Sequence, residues 1–213
     1  MTYAKLGFNE IATPRADEER IGHLLDVAAE VFLDVGYARA SVGEIARRAH
    51  ASKGTFYRRF PTKNELFAAV IKRRADEAFE DLASILLPDA EPRDVLRAIG
   101  AKLMACVLSK DSINLLRLVY MESRQFPEVG KAFYELGPRR GRELLASYLR
   151  DLSEKRVLVR MDASLAAEQF LDLVTGELVR RCALGIKPAF SEAEREKRLN
   201  AGVETFLRAY AAR

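Results

Sequence analysis

Ten basic side chains fall between Arg39 and Arg74: Arg39, Arg47, Arg48, Lys53, Arg58, Arg59, Lys63, Lys72, Arg73 and Arg74. Glu44 and Glu65 alone oppose them, a local charge of +8 in a chain whose net charge is +4, so the remaining residues sum to −4. Guanidinium and ammonium groups at this density suit a polyanion, whose condensed counterions they displace. A solvated basic face has the same composition, so charge alone leaves both readings open. The two histidines, His23 and His50, and the two cysteines, Cys106 and Cys182, are too few and too scattered for a zinc-ligand set. Cys106 stands between Ala105 and Val107 and Cys182 between Arg181 and Ala183, and both read as plain buried thiols in a reducing compartment. There is no nucleophile elbow, phosphate-cradling glycine loop or HExxH motif, and no cofactor is expected. Acid–base chemistry would fall to carboxylates that nothing singles out, so an enzyme is the weakest reading.

The elements that must position the basic residues are helices. Residues 1–17 have no sustained period, include Pro14 and read as a flexible tail. After Asp17, Ile21, Leu24, Leu25, Ala28 and Phe32 recur on one helical face, and Gly36 ends that helix. Ser41 with Glu44, Thr62 with Glu65, and Ser191 with Glu194 have the spacing of capping boxes that open three further helices. Between the first two, Ser52 caps a short helix holding Phe56, Tyr57 and Phe60, which Pro61 ends. Pro88 and Pro92 bracket a linker. Helices are expected near 93–108, 111–124, from Pro127 to a break at Gly137-Pro138 and on to Ser153, 162–184 and 192–211. No alternating strand pattern, repeat or low-complexity tract interrupts them, so the fold class is all-α: a three-helix amino-terminal domain followed by a helical bundle. No run of 18 apolar residues and no secretory signal is present, so a cytoplasmic protein without a membrane partner is expected.

Three helices over residues 18–60, the last two short and joined by a tight turn, spell a helix-turn-helix whose third helix enters the major groove. The run from Ser41 to Leu66, SVGEIARRAHASKGTFYRRFPTKNEL, resembles the DNA-binding signature of the TetR family, and the preceding Ala28-Ala29-Glu30-Val31-Phe32 and Gly36-Tyr37 fit it. Two positions depart from the common pattern. His50 stands where many members have glycine in the turn, and Arg59 where many have histidine. The resemblance implies that residues 18–74 bind DNA through Ser41, Ser52, Lys53, Gly54, Thr55, Tyr57, Arg58, Arg59 and Lys63. Lys53 would donate to guanine, Gly54 would let the backbones approach, and Thr55 and Tyr57 would hold phosphate, as would Ser41 and Lys63 at helix N-termini. Phe32, Ile45, Phe56 and Phe60 are expected in the core.

Leu118–Glu122, Phe126–Glu128 and Phe133–Pro138 look like the carboxy-terminal domain of an AefR-like subset of the family. This implies that residues 75–213 receive an effector and dimerise. Met104, Leu108, Arg117, Tyr120, Met121, Arg124, Phe133, Tyr134, Phe170, Val174 and Glu177 are candidates for a pocket, although Met and aromatic stripes are more often plain core. Arg117, Glu122, Arg124 and Glu177 interrupt apolar faces, as internal ion pairs or as a partner for an effector's polar end. Leu178, Arg181, Cys182, Leu199, Val203, Phe206 and Tyr210 are candidates for a two-fold interface. The expected protein is a homodimeric, ligand-responsive repressor of a palindromic double-stranded operator, released by a small hydrophobic or amphipathic effector. The alternative is a DNA-binding regulator without an effector, constitutive or answering to a protein partner.

Overall fold

A computed structural model describes residues 14–80, 85, 90–187 and 189–212. Residues 1–13 of the expected tail and Pro88 of the expected linker lie outside them, as do the side chains of residues 14–17 and Thr55. The described residues are helices joined by short turns: α1 (Pro14–Arg39), α2 (Val42–Arg48), α3 (Lys53–Arg59), α4 (Lys63–Phe79), α5 (Pro92–Val107), α6 (Lys110–Glu122), α7 (Pro127–Leu136), α8 (Pro138–Glu154), α9 (Ala163–Leu171), α10 (Glu177–Ala183) and α11 (Glu192–Tyr210). A π-helical turn, Asp172–Gly176, joins α9 to α10 as one rod. Helix α1 starts with proline at its first position, so residues 14–17 are its opening turn and not tail.

The helix ends follow local chemistry. Helix α1 breaks at Gly36, whose φ of 81° and ψ of 163° suit only glycine. Ser41 and Thr62 accept from the amides of Glu44 and Glu65 at 3.1 Å, one half of each expected capping box. The Glu44 carboxylate does not reach back, because Arg47 and Arg48 hold it. At Ser191 and Glu194 both halves form. The turn after α2 is a Schellman motif: Ala51 N–H donates to Ala46 O at 2.9 Å and His50 N–H to Arg47 O at 3.3 Å, with His50 left-handed at φ 50°. Histidine is among the residues other than glycine that adopt this conformation more readily than most. The same motif closes α10 through Gly185 at φ 72°.

The buried residues form two hydrophobic clusters. One gathers α5, α8, the α9–α10 rod and α11 around Phe170 and Phe206, whose rings meet edge to face at 5.3 Å. Here α11 approaches the π turn so closely that a Cβ on Gly202 would stand 2.7 Å from Val174 Cγ1. The other cluster holds α1 to α4 together with Leu115, Leu118 and Val119 of α6 and Val129 of α7. Tyr37 joins them, its ring 5.4 Å from that of Phe67 and 5.2 Å from that of Phe126. The expected division after residue 74 is therefore not a division between cores. The four amphipathic helices α1 to α4 leave one apolar side uncovered, and α6 and α7 cover it.

Candidate nucleic-acid interface

Helix α3 is two-faced. Phe56 and Phe60, one turn apart, are buried with ring centroids 6.3 Å apart. Lys53, Gly54, Tyr57, Arg58 and Arg59 are exposed. Burying 56 and 60 turns 54, 57 and 58 outward, whereas Lys53, three residues before Phe56 and seven before Phe60, lies on their side by periodicity and is exposed as the first residue of α3. Lys53 lies along α2, where its Cε is 3.1 Å from the place a Cβ on Gly43 would take. Exposed Ser52 precedes α3, and exposed Ser41 caps α2 beside it. The side chain of Thr55 lies outside the described residues. A short basic helix set on an aromatic base, braced by α1 and α2 and exposed on its outer face, has the size and charge that suit a groove of DNA.

Around this helix a small ion network holds α2. Arg47 donates from Nε and Nη2 to the two Glu44 carboxylate oxygens at 2.9 and 2.7 Å, and Arg48 bridges Glu44 at 2.9 Å and Asp34 of α1 at 3.2 Å. Hydrogen bonds from Arg47 and then Arg48 hold the Glu44 carboxyl down at about 2.

Lys63 departs from its expected role. Its ammonium points inward, donating to the carbonyls of Tyr37, Ala38 and Ala40 at 2.8, 3.1 and 3.1 Å. All three protons are used, so the side chain is not presented to a phosphate. Burial lowers its pKa, against the pull of Glu122 and then Glu128. Burial likewise raises the Tyr37 hydroxyl, with Glu128 and Glu122 adding to it.

The pocket candidates do not converge. Phe170 and Val174 are fully buried in the carboxy-terminal core with Met104, and Leu108 packs on its edge. Phe133 belongs to the other cluster. Tyr120, Met121, Arg124, Tyr134 and Glu177 are on the surface. Arg117 caps the end of α10, donating to Cys182 O at 2.6 Å and Ala183 O at 2.9 Å. Glu177 pairs with Arg180 at 2.7 Å. A groove of about 460 Å³ between α5 and α11, walled by Arg97, Met104, Arg195 and Leu199, includes Met104 alone of these candidates.

The interface candidates also move. Leu178, Cys182, Leu199, Val203 and Phe206 are buried within the protomer and serve its own core. Arg181 stands over the Phe190 ring at 5.5 Å, and the Tyr210 hydroxyl meets Gln169. In a two-sided helix, periodicity reports that a stripe is apolar but not whether its partner is the same chain or another.

Residues 24–70 match the family model of the bacterial regulatory proteins of the tetR family, and residues 94–212 that of the AefR-like transcriptional repressor carboxy-terminal domain. The chain belongs to the TetR family. Among solved structures, a TetR-family regulator from Mesorhizobium loti superimposes with a TM-score of 0.81 at 26% identity, covering 92% of this chain and 98% of that one. The flavonoid-responsive regulator FrrA gives a TM-score of 0.77 at 30% identity, with 92% and 99% covered. The transcriptional activator FasR of Mycolicibacterium smegmatis is 42% identical over 81 residues, a match that spans 38% of this chain and 37% of that relative's length. This protein is thus an all-α, DNA-binding transcriptional regulator of the TetR family, whose matched relatives are regulators and not enzymes. Regulators of this family bind DNA operators and act as dimers. Among the described residues no helix is long and apolar enough to cross a membrane.

Sequence reasoning missed Tyr37 as the meeting point of three aromatic rings and Lys63 as an internal cap. It noticed Glu122 and Arg117 as charges within apolar faces, which was the available signal, but not the backbone groups they serve.

Proposed function

We propose that this TetR-family member is a homodimeric, cytoplasmic repressor that reads a palindromic operator with α3 of each protomer and leaves it when a small amphipathic effector binds. The observation that carries the DNA half is the outward basic face of α3 on its buried Phe56–Phe60 base. In this reading Lys53 takes a base edge, while Tyr57, Arg58, Arg59, Ser41, Ser52 and Thr55 position the phosphates. The match to an AefR-like repressor domain favours repression, and the 30% identity to a regulator described as flavonoid-responsive favours a planar, partly polar effector.

The two-fold contact is drawn from exposed apolar side chains instead of the buried ones. Leu184 and Ile186, 67% and 65% exposed, follow α10. Tyr120 and Met121, 68% and 74% exposed, lie on α6 one turn beyond Arg117, which binds the end of α10. Large apolar groups this exposed on neighbouring elements are the usual material of a subunit contact.

A regulator without a small-molecule effector is the second reading. The observation in its favour is the complete burial of Phe170 and Val174, which leaves the expected pocket filled by the protein itself.

Fluorescence anisotropy on duplexes beside the protein's own gene, over a salt series, tests the first reading. Specific binding with a steep negative slope and two protomers, or a multiple, per site supports it. An effector must then weaken DNA binding by the same factor by which DNA weakens effector binding. A site that no planar amphipath releases supports the second reading, and equal weak binding to all duplexes removes both.

A further inference from the structure

Besides the apolar packing of α6 and α7 on the head, one peptide group of the turn before α2 is tied by charge to the body. Helix α1 breaks at Gly36, and the turn from Tyr37 to Ala40 leads into α2, which carries α3. Within that turn the peptide linking Tyr37 and Ala38 is held at both ends. Its carbonyl, on Tyr37, accepts from the Lys63 ammonium at 2.8 Å. Its N–H, on Ala38, donates to Glu122 Oε1 at 3.1 Å. A cation on the oxygen and an anion on the hydrogen polarise the peptide in the same direction, so each bond strengthens the other.

We propose that Glu122 is a positioning residue for DNA binding, its carboxylate setting the angle at which α2 and α3 leave the body. Three further observations support this. First, Glu122 is the last residue of α6, whose Leu115, Leu118 and Val119 are buried in the head's own core. The helix that bears the carboxylate is therefore packed to the head and cannot drift from it. Second, the site is shaped for the carboxylate: a Cβ on Gly36 would stand 2.8 Å from Glu122 Oε1, and Gly36 has the one backbone conformation in this turn that excludes a side chain. Third, five residues earlier on the same helix, Arg117 binds the last carbonyls of α10 at 2.6 and 2.9 Å. Helix α6 is thus pinned at one place to the carboxy-terminal rod and at another to the turn that aims the recognition helix. In this proposal a shift of α6 reaches the turn before α2 through Glu122 as well as through the packed side chains of α6, without passing through the α4–α5 connection. This rests on the family's DNA binding and not on the existence of an effector.

The test uses the full chain and a duplex that the unaltered protein selects from a random pool. Glu122→Ala removes the acceptor, and Glu122→Gln keeps an oxygen that can take the Ala38 N–H. Binding constants, the salt slope, dimer mass and thermal midpoint are measured for both. Residues that act through such networks change coupled equilibria by about 3- to 30-fold. The expected result is a loss in that range for Glu122→Ala with the salt slope and dimer mass unchanged, since no phosphate contact is removed, and binding within about threefold of the unaltered protein for Glu122→Gln. If the alanine variant does not fold, Glu122→Asp, one methylene short, is expected to show the same loss. Operator binding by Glu122→Ala or Glu122→Asp equal to that of the unaltered protein overturns the proposal. So does a loss confined to the thermal midpoint. Should the unaltered protein select no site, the operator reading itself fails, and the Ala38 amide then decides: faster hydrogen exchange across residues 36–42 and 53–60 in Glu122→Ala supports the proposal, and unchanged exchange overturns it.

Discussion

The Nζ of Lys63 stands 2.8 Å from the carbonyl oxygen of Tyr37 and 4.6 Å from the centre of the same residue's ring. One cation thus caps the end of α1 and rests on the aromatic residue that ties the head to α7. Hydrogen bonds to a charged donor each contribute about 1.5–3 kcal/mol, so Lys63→Met is expected to destabilise the fold by at least about that much. Urea unfolding measures it. Because the ammonium is turned inward, the salt slope of DNA binding should stay as it was, and a slope reduced by one would return Lys63 to the phosphate backbone.

On α3 the two kinds of contact are separable. Lys53→Ala is expected to cost about 1–3 kcal/mol on the preferred duplex and to relax discrimination at one base pair. Arg58→Ala should weaken all duplexes alike and lower the salt slope by about one. Competition anisotropy with point-substituted duplexes distinguishes them. Equal losses on every sequence for both would take base reading away from Lys53.

Leu184→Asp combined with Ile186→Asp should shift the protein from dimer to monomer at micromolar concentration, with its helical content kept. Sedimentation velocity and circular dichroism read the two. Neither side chain is buried in the protomer, so the fold has little to lose. A variant that remains dimeric would place the two-fold contact on another face.

At the start of α11, Glu194 receives Lys187, the Ser191 amide at 2.9 Å and the Ser191 hydroxyl at 3.0 Å. These hold its carboxyl near 2, below its ordinary value of 4.5, with Lys187 the largest cause. A carboxyl lowered in the fold stabilises fully above pH 4.5, and that contribution is lost as pH falls through 2. Glu194→Gln should therefore melt below the unaltered protein at pH 7, with the gap closing between pH 4.5 and 2. A gap that is constant across this range would show that the charge of Glu194 does not matter to the fold.

Much of the architecture was legible before any coordinates. Glycine at 36, the Ser-x-x-Glu pairs, proline at 61 and at 138, and apolar residues every third or fourth position specify where helices start, stop and turn, because these are interactions within a few residues of chain. The same locality explains α3. Burying Phe56 and Phe60 dictates that Gly54, Tyr57 and Arg58 face out, while Lys53 is exposed only because it opens the helix. Even the left-handed turn at His50 was visible as a substitution at a position that favours glycine.

What the tertiary structure alone decided is which element covers which. The stripe of Leu199, Val203 and Phe206 is as apolar as a dimer face, yet its partner is α9 and α5 of its own chain. Tyr120 and Met121 share a helix with Leu118 and Val119 but are left outside, because α6 covers the head with its opposite side. Lys63 has the charge and the helix-terminal place of a phosphate ligand, and only the fold shows three carbonyls already waiting for it. Periodicity and capping are settled by near neighbours along the chain. The occupant of an apolar stripe, or the partner of a single charge, is settled by packing between segments far apart in sequence, where many arrangements satisfy the same pattern and the total burial and hydrogen bonding of the whole chain selects one.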